Sequence, residues 1–500
     1  MDSSRGVPIK MAWKIGKLCL VAPDCALVAV FLGLAALAPA QAEGENGAKT
    51  IQALLISDIH FDPFLDPGKA ARLAAEPVSE WNAILAAPAS ADAAAQWAKV
   101  EQTCPTRGAD TSFALYRSSL HAIRAQASDA KFAIVGGDLI AHSFDCKFAA
   151  VFPTAAPADY RAFVEKTIAY VLAELRAALP GVPVYAALGN NDSDCGDYRL
   201  DARSTFLNES AEDFAADLHG AERAQAHETF SAGGYYSVNL PAPLRNARLL
   251  VLDDLFMSER YETCGGKTDA APAAAQITWL KQQLDEAREK KEKVWVMAHI
   301  PPGVDSYSTA KKWMALCSGG KPKMFLASEA LPETLASYGD VVELAIFAHT
   351  HMDEVRLLTP AKADAVKEPV AVKLVASISP IDGNNPSFTV ATVDPTTAIL
   401  TDYRVIAASN QTGIDTKWSE EYDFGQAYHE PAFTAATVGS LIAGFKADPA
   451  AQSAASQSYL SYYMTGVDMR MMAPIWQPYV CSLRNETTDA YRECVCRSAP

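Results

Sequence analysis

Beyond residue 42 the chain has no stretch apolar enough to span a bilayer, and it has no internal repeat or low-complexity linker. A membrane-spanning body and a repeat solenoid are excluded for that part of the chain. Positive charge is also short: 43 Lys and Arg stand against 59 Asp and Glu, a formal charge of −16. Nucleic acid and anionic membrane surfaces draw on an excess of Lys and Arg, so neither is expected as principal partner. Apolar residues are plentiful, at 50% with 9% aromatic, which rules out a disordered or collagen-like chain. Five hundred residues allow one large α/β domain with additions, or a few modest ones, and can bury a core without metal or disulfide staples.

The N-terminus reads as a targeting segment. Arg5, Lys10, Lys14 and Lys17 precede an apolar run over residues 26–38 that ends in Ala40-Gln41-Ala42. A basic start, a short hydrophobic stretch and an A-x-A end predict a secretory signal peptide cut after Ala42, and export to the periplasm or the exterior. No twin-Arg pair and no Cys after the apolar run point to Tat export or a lipid anchor. Eight of the ten cysteines follow the cut, and an even number in an exported chain predicts disulfides. Cys264 and Cys317 flank one apolar run and are placed to staple its loops; Cys481, Cys494 and Cys496 are placed to tie down the tail.

Five apolar runs end in polar motifs. Ala53-Leu54-Leu55-Ile56 leads to Asp58 and His60, Phe132-Ala133-Ile134-Val135 to Gly137-Asp138, and the run over residues 182–188 to Gly189-Asn190-Asn191-Asp192. Val294-Trp295-Val296-Met297 leads to His299, and Leu344-Ala345-Ile346-Phe347 to His349-Thr350-His351. Short unbroken apolar runs are the mark of strands buried on both faces. Helical patterns over residues 112–127, 159–179 and 273–290 alternate with them, predicting an α/β fold with its ligands beyond the C-terminal strand ends. Each motif alone is weak, since Gly-Asp usually marks a turn and a lone His a structural hydrogen bond. Together they supply two Asp, one Asn and four His: Asp58, His60, Asp138, Asn190, His299, His349 and His351. Imidazole with carboxylate suits zinc, iron or manganese, whereas calcium wants oxygen almost exclusively. Seven donors exceed one tetrahedral ion; two ions sharing a carboxylate use them all.

The order Asp-x-His, Gly-Asp, Gly-Asn, His, His-x-His resembles the calcineurin-like metallophosphoesterase superfamily. The flanks Gly137-Asp138-Leu139-Ile140-Ala141-His142 and His349-Thr350-His351-Met352-Asp353-Glu354 look like its acid sphingomyelinase-like branch. The resemblance covers roughly residues 50–405. It implies a two-sheet sandwich flanked by helices over residues 47–405, with a helical, cysteine-bearing subdomain over 406–500. It further implies Asp58, His60 and His351 on one divalent ion, Asn190, His299 and His349 on a second, and Asp138 bridging; zinc leads, with manganese or iron as alternatives. The implied reaction is phosphodiester hydrolysis by a metal-bridging hydroxide, with His142 near the scissile phosphate.

Departures from the superfamily pattern bear on substrate. The usual His after Gly-Asn is Asn191 here, followed by Asp192, as in endopolyphosphatase-like members. That His contributes on the order of 10²–10⁴ in rate where it acts as general acid. Its replacement leaves His142 as acid, with Asn191 and Asp192 as further catalytic candidates, and favours a phosphate or pyrophosphate leaving group. Ala141, where purple acid phosphatases carry a tyrosine ligand, disfavours an iron–tyrosinate centre. Little chain lies between Ala42 and the first apolar run, so the lipid-engaging saposin-like module of animal acid sphingomyelinases is not expected. The leading expectation is an acid sphingomyelinase-like phosphodiesterase acting on a small phosphoester. Endopolyphosphatase or nucleotide phosphoanhydride hydrolysis is the alternative, and a metal-retaining binding protein the non-enzyme reading. Asp194 and Asp197 read as a solvated turn, Asp253-Asp254 as structural, residues 83–98 as helix-prone surface, and the Tyr/Met/Trp-rich tail over 459–480 as core of the C-terminal lobe.

Overall fold

The computed structural model describes residues 50–310, 313–360, 368–467 and 474–498. The expected signal segment lies outside them. Twelve strands form among the described residues: β1 (Ile51–Ile56), β2 (Ala130–Val135), β3 (Val184–Ala186), β4 (Tyr236–Asn239), β5 (Ala247–Val251), β6 (Lys293–Met297), β7 (Val342–Phe347), β8 (Glu354–Leu358), β9 (Val370–Leu374), β10 (Ser387–Val393), β11 (Leu400–Ala408) and β12 (Trp418–Asp423). They pair into two six-stranded sheets, ordered β12-β11-β10-β1-β2-β3 and β4-β5-β6-β7-β9-β8. This is the expected two-sheet α/β architecture.

The five motif-bearing runs are β1, β2, β3, β6 and β7. Within the first sheet β1, β2 and β3 run parallel, and within the second β5, β6, β7 and β9 do so. Antiparallel strands close the flanks, with Leu54 opposite Val390 where β10 meets β1. The runs are apolar throughout because both faces are covered: Leu54, Ala133, Val184, Trp295 and Ala345 are all buried. The sheets share one core. The Phe132 ring meets the Trp295 ring edge-on at 5.7 Å, and the Trp295 indole donates to the Ala398 carbonyl at 2.9 Å.

Helices cover the outer faces for reasons visible in their periodicity. Helix Pro157–Ala178 buries Val164, Ile168, Val171, Leu172 and Leu175, a stripe at three- and four-residue spacing. Helix Phe113–Gln126 begins where Ser112 accepts from the Leu115 amide at 3.1 Å, satisfying one unpaired first-turn donor. Helix Ala271–Lys290 packs beside β6. The alanine-rich stretch forms two helices, Trp81–Ala86 and Ala93–Thr103.

Past residue 405 the chain is mostly helical, as in Ala435–Ala447, Ala454–Tyr462, Trp476–Ser482 and Thr488–Ser498. It also contributes β12 to the edge of the first sheet, which an all-helical tail does not anticipate. The segment Trp418-Ser419-Glu420-Glu421-Tyr422-Asp423 is polar, so it shows no apolar run; pairing with β11 makes it a strand. Tyr459, Trp476 and Tyr479 are core, as expected of the tail.

Disulfides join Cys104–Cys146, Cys195–Cys264, Cys317–Cys496 and Cys481–Cys494. The C-terminal cysteines do tie down the tail, but Cys264 and Cys317 do not pair with each other. They lie on opposite sides of β6 in sequence, yet the fold sends the loop of Cys264 to the Asn190 motif and that of Cys317 to the last helix. No helix among the described residues is long and apolar enough to cross a membrane.

Candidate metal centre

All seven expected ligands lie just past the ends of β1, β2, β3, β6 and β7. Five of them, Asp58 (φ 47°), His60 (45°), Asp138 (55°), His349 (69°) and His351 (66°), have left-handed backbones. Such backbones disfavour L-residues by roughly 1–2 kcal/mol each, although Asp and His tolerate them better than most. They recur at functional sites, where the surrounding structure holds the strain. The turns are also tightly nested. Gly137 sits at φ 94°, and a Cβ there would lie 2.7 Å from the Gly189 amide nitrogen. At Gly189 a Cβ would collide with the Asp138 carboxylate.

Backbone carbonyls set the histidine tautomers. His60 Nδ1 lies 3.0 Å from the Ile140 carbonyl and His299 Nδ1 2.7 Å from that of Gly136. A carbonyl only accepts, so each Nδ1 carries the proton and each Nε2 turns a lone pair inward. His60 Nε2 then faces His351 Nε2 at 3.1 Å. His299 Nε2 faces Asn190 Oδ1 at 3.1 Å and Asp138 Oδ2 at 3.2 Å, and the same Asp138 oxygen is 3.4 Å from His60 Nε2. Asp58 Oδ1 is buried without a hydrogen-bond donor among the described residues, 3.4 Å from His351 Nε2. Electron-rich atoms aimed at one another in a dry site need positive charge between them. The donor set therefore fits divalent cations bound through nitrogen and oxygen. Asp138 groups with Asp58 and His60 and also with His299 and His349, while His142 groups with His60 and His351.

Electrostatics report the same demand. Burial opposes the charged form of His299, but the Asp138 and Asp58 carboxylates outweigh it and push the group up to about 10. His60 rises to about 9 by the same balance, with Asp138 as its strongest counter-charge. Burial works against the Asp58 carboxylate, yet His351, His60 and His299 draw it down to about 2. His349 moves the other way, down to about 3, through burial and the neighbouring His299 charge.

The remaining expected site residues fall in distinct places. His142 stacks on His60 with ring centroids 3.9 Å apart, and its Nδ1 is 2.8 Å from Asp110 Oδ1. The His142 ring centroid also lies 5.6 Å from that of His351. Asn191 donates from its backbone N and from Nδ2 to the two Asp138 oxygens, at 2.8 and 2.9 Å, so its amide protons face the Asp138 carboxylate. Asp192 accepts from the amides of Leu139, Ile140 and Gly189 at 2.8–3.1 Å, fastening the Asp138 turn to the Asn190 turn. Asp254 does the same for His299, accepting from the amides of His299 and Ile300, and so bears the structural role expected of the Asp253-Asp254 pair.

Sequence reasoning missed the supporting residues. Asp197 accepts from Asn190 Nδ2 at 2.7 Å, turning the amide oxygen toward the cluster; it is no idle solvated turn. Asp382 Oδ2 lies 3.2 Å from His351 Nδ1. Lys147 is buried, with Nζ 2.7 Å from Asp62 and 3.1 Å from Asp110. The Tyr198 hydroxyl is 3.1 Å from His349 Nε2. None sits in a strand-end motif, so only their residue types hinted at them.

The calcineurin-like phosphoesterase profile matches residues 51–353, from β1 to just past His351. The chain belongs to the calcineurin-like phosphoesterase family. This phosphoesterase is 24% identical over 423 residues to acid sphingomyelinase-like phosphodiesterase 3b of Homo sapiens, covering 79% of this chain and 85% of that one. It is 25% identical over 331 residues to cyclic GMP-AMP phosphodiesterase SMPDL3A of Homo sapiens, covering 64% and 66%. A solved dimetal phosphatase from Danio rerio covers 74% of this chain and 98% of its own at 14% identity, with a TM-score of 0.38. The expected family and branch resemblance hold, and the phosphoesterase is a metal-dependent phosphoester hydrolase.

Proposed function

We propose that Asp58, His60 and His351 hold one divalent ion and Asn190, His299 and His349 a second, with Asp138 between them, and that the chain hydrolyses a small phosphodiester or phosphoanhydride outside the cytoplasm. The carrying observation is the convergence of inward lone pairs on carboxylate and amide oxygens, with His60 Nε2, His299 Nε2 and Asp138 Oδ2 within 3.4 Å contacts. When bound, the ions supply Lewis acidity toward phosphoryl oxygens and lower the pKa of coordinated water. Zinc is the first choice, with manganese or iron as alternatives.

The chain's own residues divide the remaining work. Asp110 fixes the His142 ring through Nδ1, so Nε2 is the atom that would meet a phosphoryl or leaving oxygen. It donates there only when the ring is protonated, and burial with the neighbouring His60 charge pushes that protonation down to about 4. Asn191 neutralises part of the Asp138 charge and holds its orientation. With its amide protons on Asp138, Asn191 is not an acid for the leaving group. That favours substrates whose leaving group needs little protonation, and so supports phosphoanhydrides as a second reading beside acid sphingomyelinase-like phosphodiesters. The four disulfides support an oxidising compartment.

The test is turnover of bis-p-nitrophenyl phosphate, a nucleoside triphosphate and polyphosphate by metal-reconstituted protein, with elemental analysis of the same sample. Two ions per chain and release from at least one substrate are expected. Metal retention without any release would make the chain a phosphate-ligand binding protein and overturn the reading.

A further inference from the structure

Two exposed arginines stand on carboxylates that back opposite halves of the metal centre. Arg107 reaches Asp382, next to His351; Arg260 reaches Asp197, next to Asn190. They differ in how fully they are engaged. Arg107 grips Asp382 with two bonds, Nε to Oδ1 at 2.7 Å and Nη2 to Oδ2 at 2.9 Å, so its donor fork is matched. Arg260 makes one long contact, Nη2 to Asp197 Oδ2 at 3.5 Å, with the two side chains 67% and 40% exposed. A single pair of that length and exposure is weak and screened, which leaves most guanidinium donors open to another anion.

Arg260 is nevertheless firmly placed. Its guanidinium carbon lies 3.8 Å from the centroid of the Tyr198 ring, and Tyr198 is buried with its hydroxyl 3.1 Å from His349 Nε2. One aromatic ring thus separates a solvent-facing cation from a candidate ligand. The turn carrying Arg260 is pinned on both sides, by the bridge from Ser258 to Leu326 and by that from Arg199 to Glu262. The Glu262 amide donates to the Tyr198 carbonyl at 3.0 Å, and the Cys195–Cys264 disulfide closes the loop. Little ordering remains to be done when an anion arrives.

Resting on the proposed function, we propose that Arg260, seated on Tyr198, receives a second phosphate of the substrate, so that the preferred substrate class is a phosphoanhydride such as a nucleoside triphosphate or polyphosphate. Arg is suited to this task because its planar fork matches two phosphate oxygens while its face stays on the aromatic ring. A cation at that rim also repels a quaternary ammonium, disfavouring choline-type diesters whose distal group would reach it.

The test compares kcat/KM for a nucleoside triphosphate and for bis-p-nitrophenyl phosphate in wild-type protein and in R260A and R260K, together with calorimetric binding of imidodiphosphate. R260A should lower the triphosphate-to-diester ratio about tenfold or more, mainly through KM, and weaken imidodiphosphate by a similar factor. R260K should recover part of both. A ratio within twofold of wild type with unchanged imidodiphosphate affinity overturns the inference. So does wild-type protein that turns over the diester but neither triphosphate nor polyphosphate, an outcome that leaves the proposed function standing. Metal-loaded wild-type protein inactive on every substrate overturns both.

Discussion

Replacing Lys147 by Met probes how the His142 side of the centre is held. Lys147 is buried, and its ammonium lies between Asp62 Oδ2 at 2.7 Å and Asp110 Oδ2 at 3.1 Å. Burial works against this charge, but the two carboxylates overcome it and hold the amine above its usual value. Met fills similar space without charge, so the substitution strands two buried carboxylates. Removing one partner of a buried pair costs about 3–5 kcal/mol. Asp110 keeps donors from His142 N, His142 Nδ1 and Ser379 Oγ, whereas Asp62 keeps the Phe64 amide. Asp62 therefore bears most of the loss. Its carboxyl is already above its usual value through burial, and without Lys147 it rises further. A carboxyl raised in the folded state stabilises below its unfolded value, and that stability is lost as pH rises through the folded value. The K147M deficit in urea unfolding should accordingly be larger at pH 8 than at pH 5. Adding Asp62→Asn should recover a large part of it, with a coupling of more than about 1 kcal/mol in the double-mutant cycle. A K147M protein within about 1 kcal/mol of wild type at pH 8, with no pH dependence, would show that the Asp62–Lys147–Asp110 chain does not hold this wall of the site.

Other outcomes follow from the same geometry. His142→Ala should slow turnover by about 10²–10⁴ while metal content stays at the wild-type level; loss of metal would instead make His142 a ligand. His299→Ala removes the Nε2 that faces Asn190 Oδ1 and Asp138 Oδ2, and elemental analysis should show fewer than two ions per chain with activity nearly abolished. Replacing Cys195 and Cys264 by Ser opens a 69-residue loop, which the chain-entropy relation puts at about 4 kcal/mol, readable as a lowered urea midpoint. Glu421 has neither oxygen hydrogen-bonded among the described residues, and burial with the nearby Asp353 charge pushes it up to about 8. It favours the folded state at low pH and loses that contribution as pH rises toward 8, so E421Q should raise Tm at pH 8 more than at pH 5.

Much of this molecule is legible along the chain because its active strands are buried on both faces. Continuous apolar runs end abruptly in Asp, Asn, His and Gly, and a one-dimensional pattern of that kind survives without knowing the fold. The helix stripes of residues 157–178 and 271–290 are readable for the same reason, since 3.6-residue periodicity is local. The α/β class and the seven candidate donors came from these signals, whereas the family and the two-sheet layering came from the resemblance carried by the order of the motifs. Partnerships between loops are not local. Which cysteine meets which depends on where irregular segments are sent, and Cys317 finds Cys496 at a separation of 179 residues. Strand β12 is polar and becomes a strand only because β11 offers it an edge. Asp110, Lys147, Asp197, Tyr198, Arg260 and Asp382 carry no spacing that sets them apart from surface residues. Burial, a ring face or a carboxylate 3 Å away gives each its role, and those are properties of three-dimensional neighbours alone.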